Sequence, residues 1–468
     1  MAGTNLLTVT LFSVASYFLA QWLLPRCRFS LRPLLSPLNW FLVLYFVLLV
    51  LVPCVVVVEG PSDAILPELP TSFSMNVAMI LQLAGFWTFC GSVHYFRKKR
   101  RAPVRASRPP QPNRWLPPAG LIVLFAVLGA IGIGLRFGSL QNLIYYFTNP
   151  QSYLLGAIND ASSKTAWQAA PDFLMYFAPF SVILLWCRDV ALAPRKRTFP
   201  TQFRRLLYVF LIGFTASINN YNRASFVIPL AALFAVMLKR RLSIGLPGLL
   251  ALVAVAGFLT FEVTSFRATY GNSGELLAKS PFTFNSFIQD YGQAPQYLGY
   301  FLENTHYGAQ PSMGSILYHS VLALVPIAGK SHRLQTGTYL YGTVIERTDH
   351  PALFIAELFL DFSVFGVVAG FFLVGRFVAR LQDRFNAAVE PFELFLIQFA
   401  GICLSYTVMV GIEEVAQFAV FLCWPIYGFL IYRKLTKSRN AGRTRQRAAA
   451  VPRKPAAPAA GLEAPGTA

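Results

Sequence analysis

Apolar stretches long enough to cross a bilayer recur along nearly the whole of this chain, and they restrict it to one architecture. A hydrocarbon core takes about 20 apolar residues per helical pass, and every backbone polar group inside it must be satisfied internally. Candidate spans lie at 6–24, 38–58, 73–96, 116–135, 172–186, 206–218, 224–238, 244–261, 351–375, 391–411 and 415–432. The pair 206–218 and 224–238 is short and separated by a polar turn, so it reads as a helical hairpin or a re-entrant pair. Composition agrees: only 13% of the 468 residues are charged, about half the share in soluble domains. The expectation is an all-α polytopic membrane protein with about 11 transmembrane helices. The first span has nothing basic before it and Pro25-Arg26 after it, so it is expected to remain as an anchor and not to be cleaved as a signal peptide.

A formal net charge of +20 suggests nucleic acid until its placement is considered. Alternating the sides of the spans collects 32 of the 40 Lys and Arg residues on one face, in 26–37, 97–115, 188–205, 239–241, 376–390 and 433–468. Short basic loops mark the cytoplasmic side. The N-terminus is then outside and the C-terminus inside, and the basic runs serve topology and anionic lipid, with no nucleic-acid partner. The six cysteines lie in or beside spans without a CxxC pair, which favours neither a disulfide framework nor a metal site.

Three regions follow: membrane helices with basic loops (1–205), a membrane core (206–432) and a basic tail (433–468) read as disordered. No Gly-rich phosphate loop lies on the cytoplasmic side, so no nucleotide site is expected there. The opposite face carries two sizeable loops. The first, 136–171, includes an amphipathic Tyr-rich piece expected along the interface. The second, 262–350, is the largest polar segment. Within it 316–327 is apolar but too short to span, and is expected as a re-entrant or interfacial helix.

The candidate chemistry gathers around that loop. RTDHPALFIAELFLDFSVFGVVAGFFLVG, at 347–375, reads as one spanning helix carrying His350, Glu357 and Asp361 on a single stripe, since offsets of 7 and 11 return to nearly the same face. Ionisable groups at membrane depth face a cavity or a partner; a helix end reaching water accounts for His350 better than for Asp361. Arg223 closes the polar turn Asn219-Asn220-Tyr221-Asn222, and Arg267, Arg333 and Arg347 share its side of the membrane. Guanidinium forks match phosphate oxygens, so the set is a candidate pyrophosphate site, although each arginine alone is equally a partner for a neighbouring acid. Loop aromatics, Tyr291 and Tyr297 among them, offer flat faces for sugars or an interfacial belt. No HExxH, DxD or Cys/His cluster supports a metal, and no GxSxG elbow appears. A reaction here needs a substrate activated before it crosses, such as a sugar on a lipid pyrophosphate.

NNYNRASFVIPLAALFAVML, a large outer loop and then HPALFIAELFLDFSVFGVVAGFFLVG resemble the Wzy-type oligosaccharide repeat-unit (O-antigen and capsule) polymerases over roughly 206–375. His350 before the acidic, Gly-ending helix is also similar to the related O-antigen ligases. The resemblance implies a GT-C-like inverting glycosyltransferase of the bacterial inner membrane. It implies a polyprenyl-pyrophosphate-linked oligosaccharide as donor and no cofactor or metal. A flippase and a chain-length regulator would be its partners. In this scheme His350 or Glu357 is the base, Arg223, Arg267, Arg333 and Arg347 hold pyrophosphate, and Asn219, Asn220, Tyr221, Asp361, Tyr291 and Tyr297 line the cavity. Gly366 and Gly370 are packing residues. Transfer to a surface anchor by a ligase, or transport along the intramembrane acids, are the alternatives.

Overall fold

A computed structural model describes residues 2–30, 35–59, 71–99, 115–148, 166–192, 198–218, 223–240, 294–306, 311–322 and 353–436. All regular structure among them is helical. Six helices are long and apolar enough to cross a membrane, and two shorter apolar ones lie at Leu7–Leu23 and Val227–Lys239. Their outward faces are apolar: Leu11, Phe12, Trp22, Leu124 and Phe210 stand exposed, the pattern a lipid-facing surface requires. The expected span 244–261 lies outside the described residues.

The helices are α1 (Ala2–Leu23), α2 (Pro37–Phe46) running through a π turn into α3 (Val52–Glu59), α4 (Ser72–Lys99), α5 (Ala119–Phe137), α6 (Leu140–Thr148), α7 (Ala166–Met175), α8 (Phe177–Leu192), α9 (Phe199–Ser217) and α10 (Arg223–Lys239). After them come α11 (Ala294–Asn304), α12 (Ser315–Leu322), α13 (Phe354–Ala387), α14 (Pro391–Ser405) and α15 (Ile412–Gln417). Met1–Cys423 forms one compact unit; a further helix, 424–436, belongs to a second.

Aromatic side chains knit α1, α2 and α4 together. Tyr17 stacks on Phe86 at 5.4 Å and Phe41 on Phe89 at 5.0 Å between ring centroids. The α4–α13 contact is close because Gly375 has no side chain: a Cβ there would stand 2.7 Å from the Phe89 carbonyl oxygen and 2.8 Å from Ser92 Cβ. The Ser92 hydroxyl donates to the Phe372 carbonyl at 2.7 Å, tying the same two helices. A second tight crossing joins α5 to the α7–α8 arm. There a Cβ on Gly129 would reach Ala178 N at 2.5 Å, and one on Gly132 would reach Met175 N at 2.6 Å. Small residues at such crossings let backbones touch where no hydrophobic force separates helix from lipid. Gly138, at φ +68, ends α5 and turns the chain into the short helix α6, a conformation glycine adopts without a Cβ penalty.

The expected single span at 351–375 is where the structure departs from the sequence pattern. Phe362 (φ −137, ψ 15) and Ser363 (φ 57, ψ −154) break α13. Residues 354 and 371 of an unbroken helix would lie about 25 Å apart along its axis. Here the Phe354 and Phe371 rings are 5.9 Å apart between centroids. The arm 354–361 therefore folds back antiparallel along the start of the arm 364–387. Gly366 and Gly370 make this possible: a Cβ on either would run into the Leu358 carbonyl oxygen or the Leu358 side chain. Their packing role is within one hairpin, where the unbroken-helix pattern suggested contact with other spans.

Candidate functional site

The fold-back turns the face of 354–361 that carries Glu357 and Asp361 toward α12 and α15. The two acids are one helical turn apart and so share that face. Both are buried completely, at 0% exposure. Asp361 accepts the N–H of Ile316 at 3.1 Å on Oδ1 and that of Leu317 at 2.9 Å on Oδ2, and the Ser312 hydroxyl donates to it as well. Ile316 and Leu317 are the second and third residues of α12. Their amides are the ones an N-cap side chain normally satisfies. The residue before α12 is Gly314, at φ +91, which has no side chain to offer, so Asp361 supplies the cap from another helix.

Glu357 repeats the arrangement at α15. Its Oε2 accepts the Ile412 N–H at 2.8 Å, at a helix start again preceded by a glycine, Gly411, while the Ser320 hydroxyl of α12 donates to Oε1 at 2.9 Å. Positive helix ends stabilise these carboxylates, and the hydrogen bonds offset the cost of burying them. Two backbone bonds complete a clasp between the turns: Ser312 N–H to the Leu360 carbonyl at 3.0 Å and Met313 N–H to the Asp361 carbonyl at 3.2 Å. The positive φ of Met313 and Ser363 costs about 1–3 kcal/mol each and persists where surrounding contacts over-determine the backbone.

A third carboxylate does the same at the head of α4. Glu303 of α11 accepts the Thr71 N–H at 2.6 Å and the Ser74 hydroxyl at 2.6 Å. Burial pushes its carboxyl up, but the hydrogen bonds from Ser74 and Thr71 together outweigh burial and hold it below its ordinary range.

Of the residues proposed from sequence, the structure brings Glu357 and Asp361 together. Asp361 faces neutral donors and a helix end here, where the expectation was a partner cation or a cavity wall. The Tyr297 ring is 3% exposed, packed in the core cluster beside Phe301, and presents no open platform. Arg223 is the first residue of α10. Asn219, Asn220, Tyr221, Arg267, Tyr291, Arg333, Arg347 and His350 lie outside the described residues. Arg136, an outer-loop arginine by sequence, pairs with Asp172 at 2.5 Å, the alternative open to each of these arginines. Sequence reasoning missed Ser312, Ser320 and Glu303. The signal that points to them is a helix start led by glycine, at Gly314 and Gly411, in a chain whose acids sit at membrane depth. No protein-family model, curated protein or solved structure matches the chain.

Proposed function

We propose that this polytopic membrane protein is a lipid-linked glycosyltransferase of the bacterial inner membrane, with about 11 spans and a GT-C-like core. It polymerises polyprenyl-pyrophosphate-linked oligosaccharide units on the outer face. The observation that carries this reading is the coincidence, on the side away from the basic loops, of the largest polar loop, a set of arginines and the His350–Asp361 segment. Arg223 and Arg267, with Arg333 or Arg347, bind the donor pyrophosphate and stabilise it as it leaves. His350 deprotonates the acceptor hydroxyl. Glu357, already engaged by Ser320 and Ile412, holds its helix and leaves the proton transfer to His350.

The surface-glycan profile of a deletion strain tests the reading. Collapse of a ladder to a single repeat unit on its anchor is the expected result. Long polymer stranded on the lipid carrier would make the protein a ligase instead. Within the polymerase reading, Arg223→Ala and His350→Ala shorten or abolish the polymer; unchanged polymer from both would refute the site.

Transport is the second reading, favoured by the interruption of α13 beside two buried carboxylates, a device transporters use to build midplane sites. Uptake in vesicles driven by a proton gradient, together with an unchanged glycan profile, would establish it.

A further inference from the structure

The clasp has a consequence for the segment 323–352, which joins the fold at Leu322 on one side and Leu353 on the other. Leu322 ends α12, and α12 is held at its start by Asp361 and along its length by the Ser320–Glu357 bond. Leu353 leads into the arm 354–361, where the Phe354 N–H donates to the Val410 carbonyl at 3.2 Å and Glu357 grips Ile412. Both attachment points are thus tied to the same two carboxylates. Every bond in the clasp ends on Glu357, on Asp361 or on the backbone beside them.

We infer that Glu357 and Asp361 are positioning residues. They cap α12 and α15 in trans and thereby fix, relative to one another, the two ends of the segment that carries Arg333, Arg347 and His350. This assignment rests on the polymerase reading and deepens it: the acids set where donor-binding and proton-accepting groups stand, and touch no substrate themselves. A charge-assisted cap is suited to the task. Removing one partner leaves buried amides unsatisfied, so the alternative arrangements of α12 are disfavoured.

The test uses the full-length protein in lipid nanodiscs, as wild type and as Asp361→Asn, Glu357→Gln and Ser312→Ala. These substitutions keep side-chain volume close to native, and Ser312→Ala removes one hydroxyl alone. Amide hydrogen exchange read by mass spectrometry reports the clasp directly. Exchange is expected to accelerate about tenfold or more over 315–322 in Asp361→Asn and over 412–417 in Glu357→Gln, less in Ser312→Ala, with α4 unchanged. Kinetics with a polyprenyl-pyrophosphate-linked oligosaccharide are read in parallel. KM for the donor is expected to rise about tenfold while kcat stays within about threefold, the pattern of lost binding geometry and intact chemistry.

Unchanged exchange in both isosteric variants would overturn the clasp. Faster exchange with native KM and kcat would overturn the positioning role, as would loss of kcat with native KM, which marks a group acting in the chemistry. If the wild type does not turn over lipid-linked donor, the polymerase reading fails and the positioning role falls with it. The exchange result still decides whether the two acids cap α12 and α15.

Discussion

Gly366→Ala probes the fold-back on which the clasp depends. The added methyl would stand 2.8 Å from Phe362 Cβ and 3.1 Å from the Leu358 carbonyl carbon, and nearer still to that carbonyl's oxygen. Two of these atoms are backbone, so rotamer changes cannot relieve the contact. The arm 354–361 must move outward by about 1 Å, which forfeits up to about half the dispersion well of each facing atom pair. Phe354 and Leu358 are both buried. Losing half of a burial contribution of about 2–3 kcal/mol each costs about 2–3 kcal/mol. Alanine's helix preference over glycine returns about 1 kcal/mol. The net expectation, about 1–2 kcal/mol of destabilisation, is measured by thermal or chemical unfolding in detergent micelles. Gly91→Ala in α4 is the control, because a Cβ there meets nothing within 4 Å. The geometry has its own check in a background without native cysteines: Phe354→Cys and Phe371→Cys should be joined by a short bifunctional thiol reagent. Sites about 25 Å apart in an unbroken helix could not be. A Gly366→Ala protein as stable as Gly91→Ala, or a folded protein that resists this crosslink, would refute the hairpin.

Two further outcomes follow from helix contacts. At the α5 crossing, Gly129→Ala and Gly132→Ala should each destabilise by about 1–3 kcal/mol. Gly134→Ala in the same helix, whose Cβ would meet nothing within 4 Å, should be neutral or gain up to about 1 kcal/mol; equal melting temperatures for all three would contradict the close approach. The Glu303 cap predicts a particular acid limb. Because its folded carboxyl titrates below the ordinary range, its contribution is present above about pH 4.3, the unfolded value, and is lost as pH falls through the lower folded one. Glu303→Gln should flatten that part of the stability–pH profile and leave it unchanged near neutrality.

Membrane character was legible in the sequence because spanning a bilayer is a demand on length and composition, and both can be read along a single strand of letters. The helices at 38–58, 73–96, 116–135 and 391–411 are apolar over about the required length, and the folded chain has a helix at each. The short apolar piece 316–327, expected as a helix that does not span, contains α12. The stretch 351–375 is different. Its hydropathy is that of a span and its Glu357/Asp361 spacing that of one helical face, and both remain true of a helix broken at 362–363. The break is invisible to periodicity because it is imposed by contacts distant in sequence: Gly366 and Gly370 admitting Leu358, and Asp361 reaching Ile316 and Leu317.

The sequence by itself determined that the chain is helical, membrane-embedded and asymmetric in charge, since lipid admits few alternatives for a backbone that must satisfy its own hydrogen bonds. Only the tertiary structure decided what the buried acids touch. A helix start led by glycine carries no side chain to satisfy its amides, and the group that does so is chosen by proximity in space. Glu357 and Asp361 serve α15 and α12 because the fold-back brings them there.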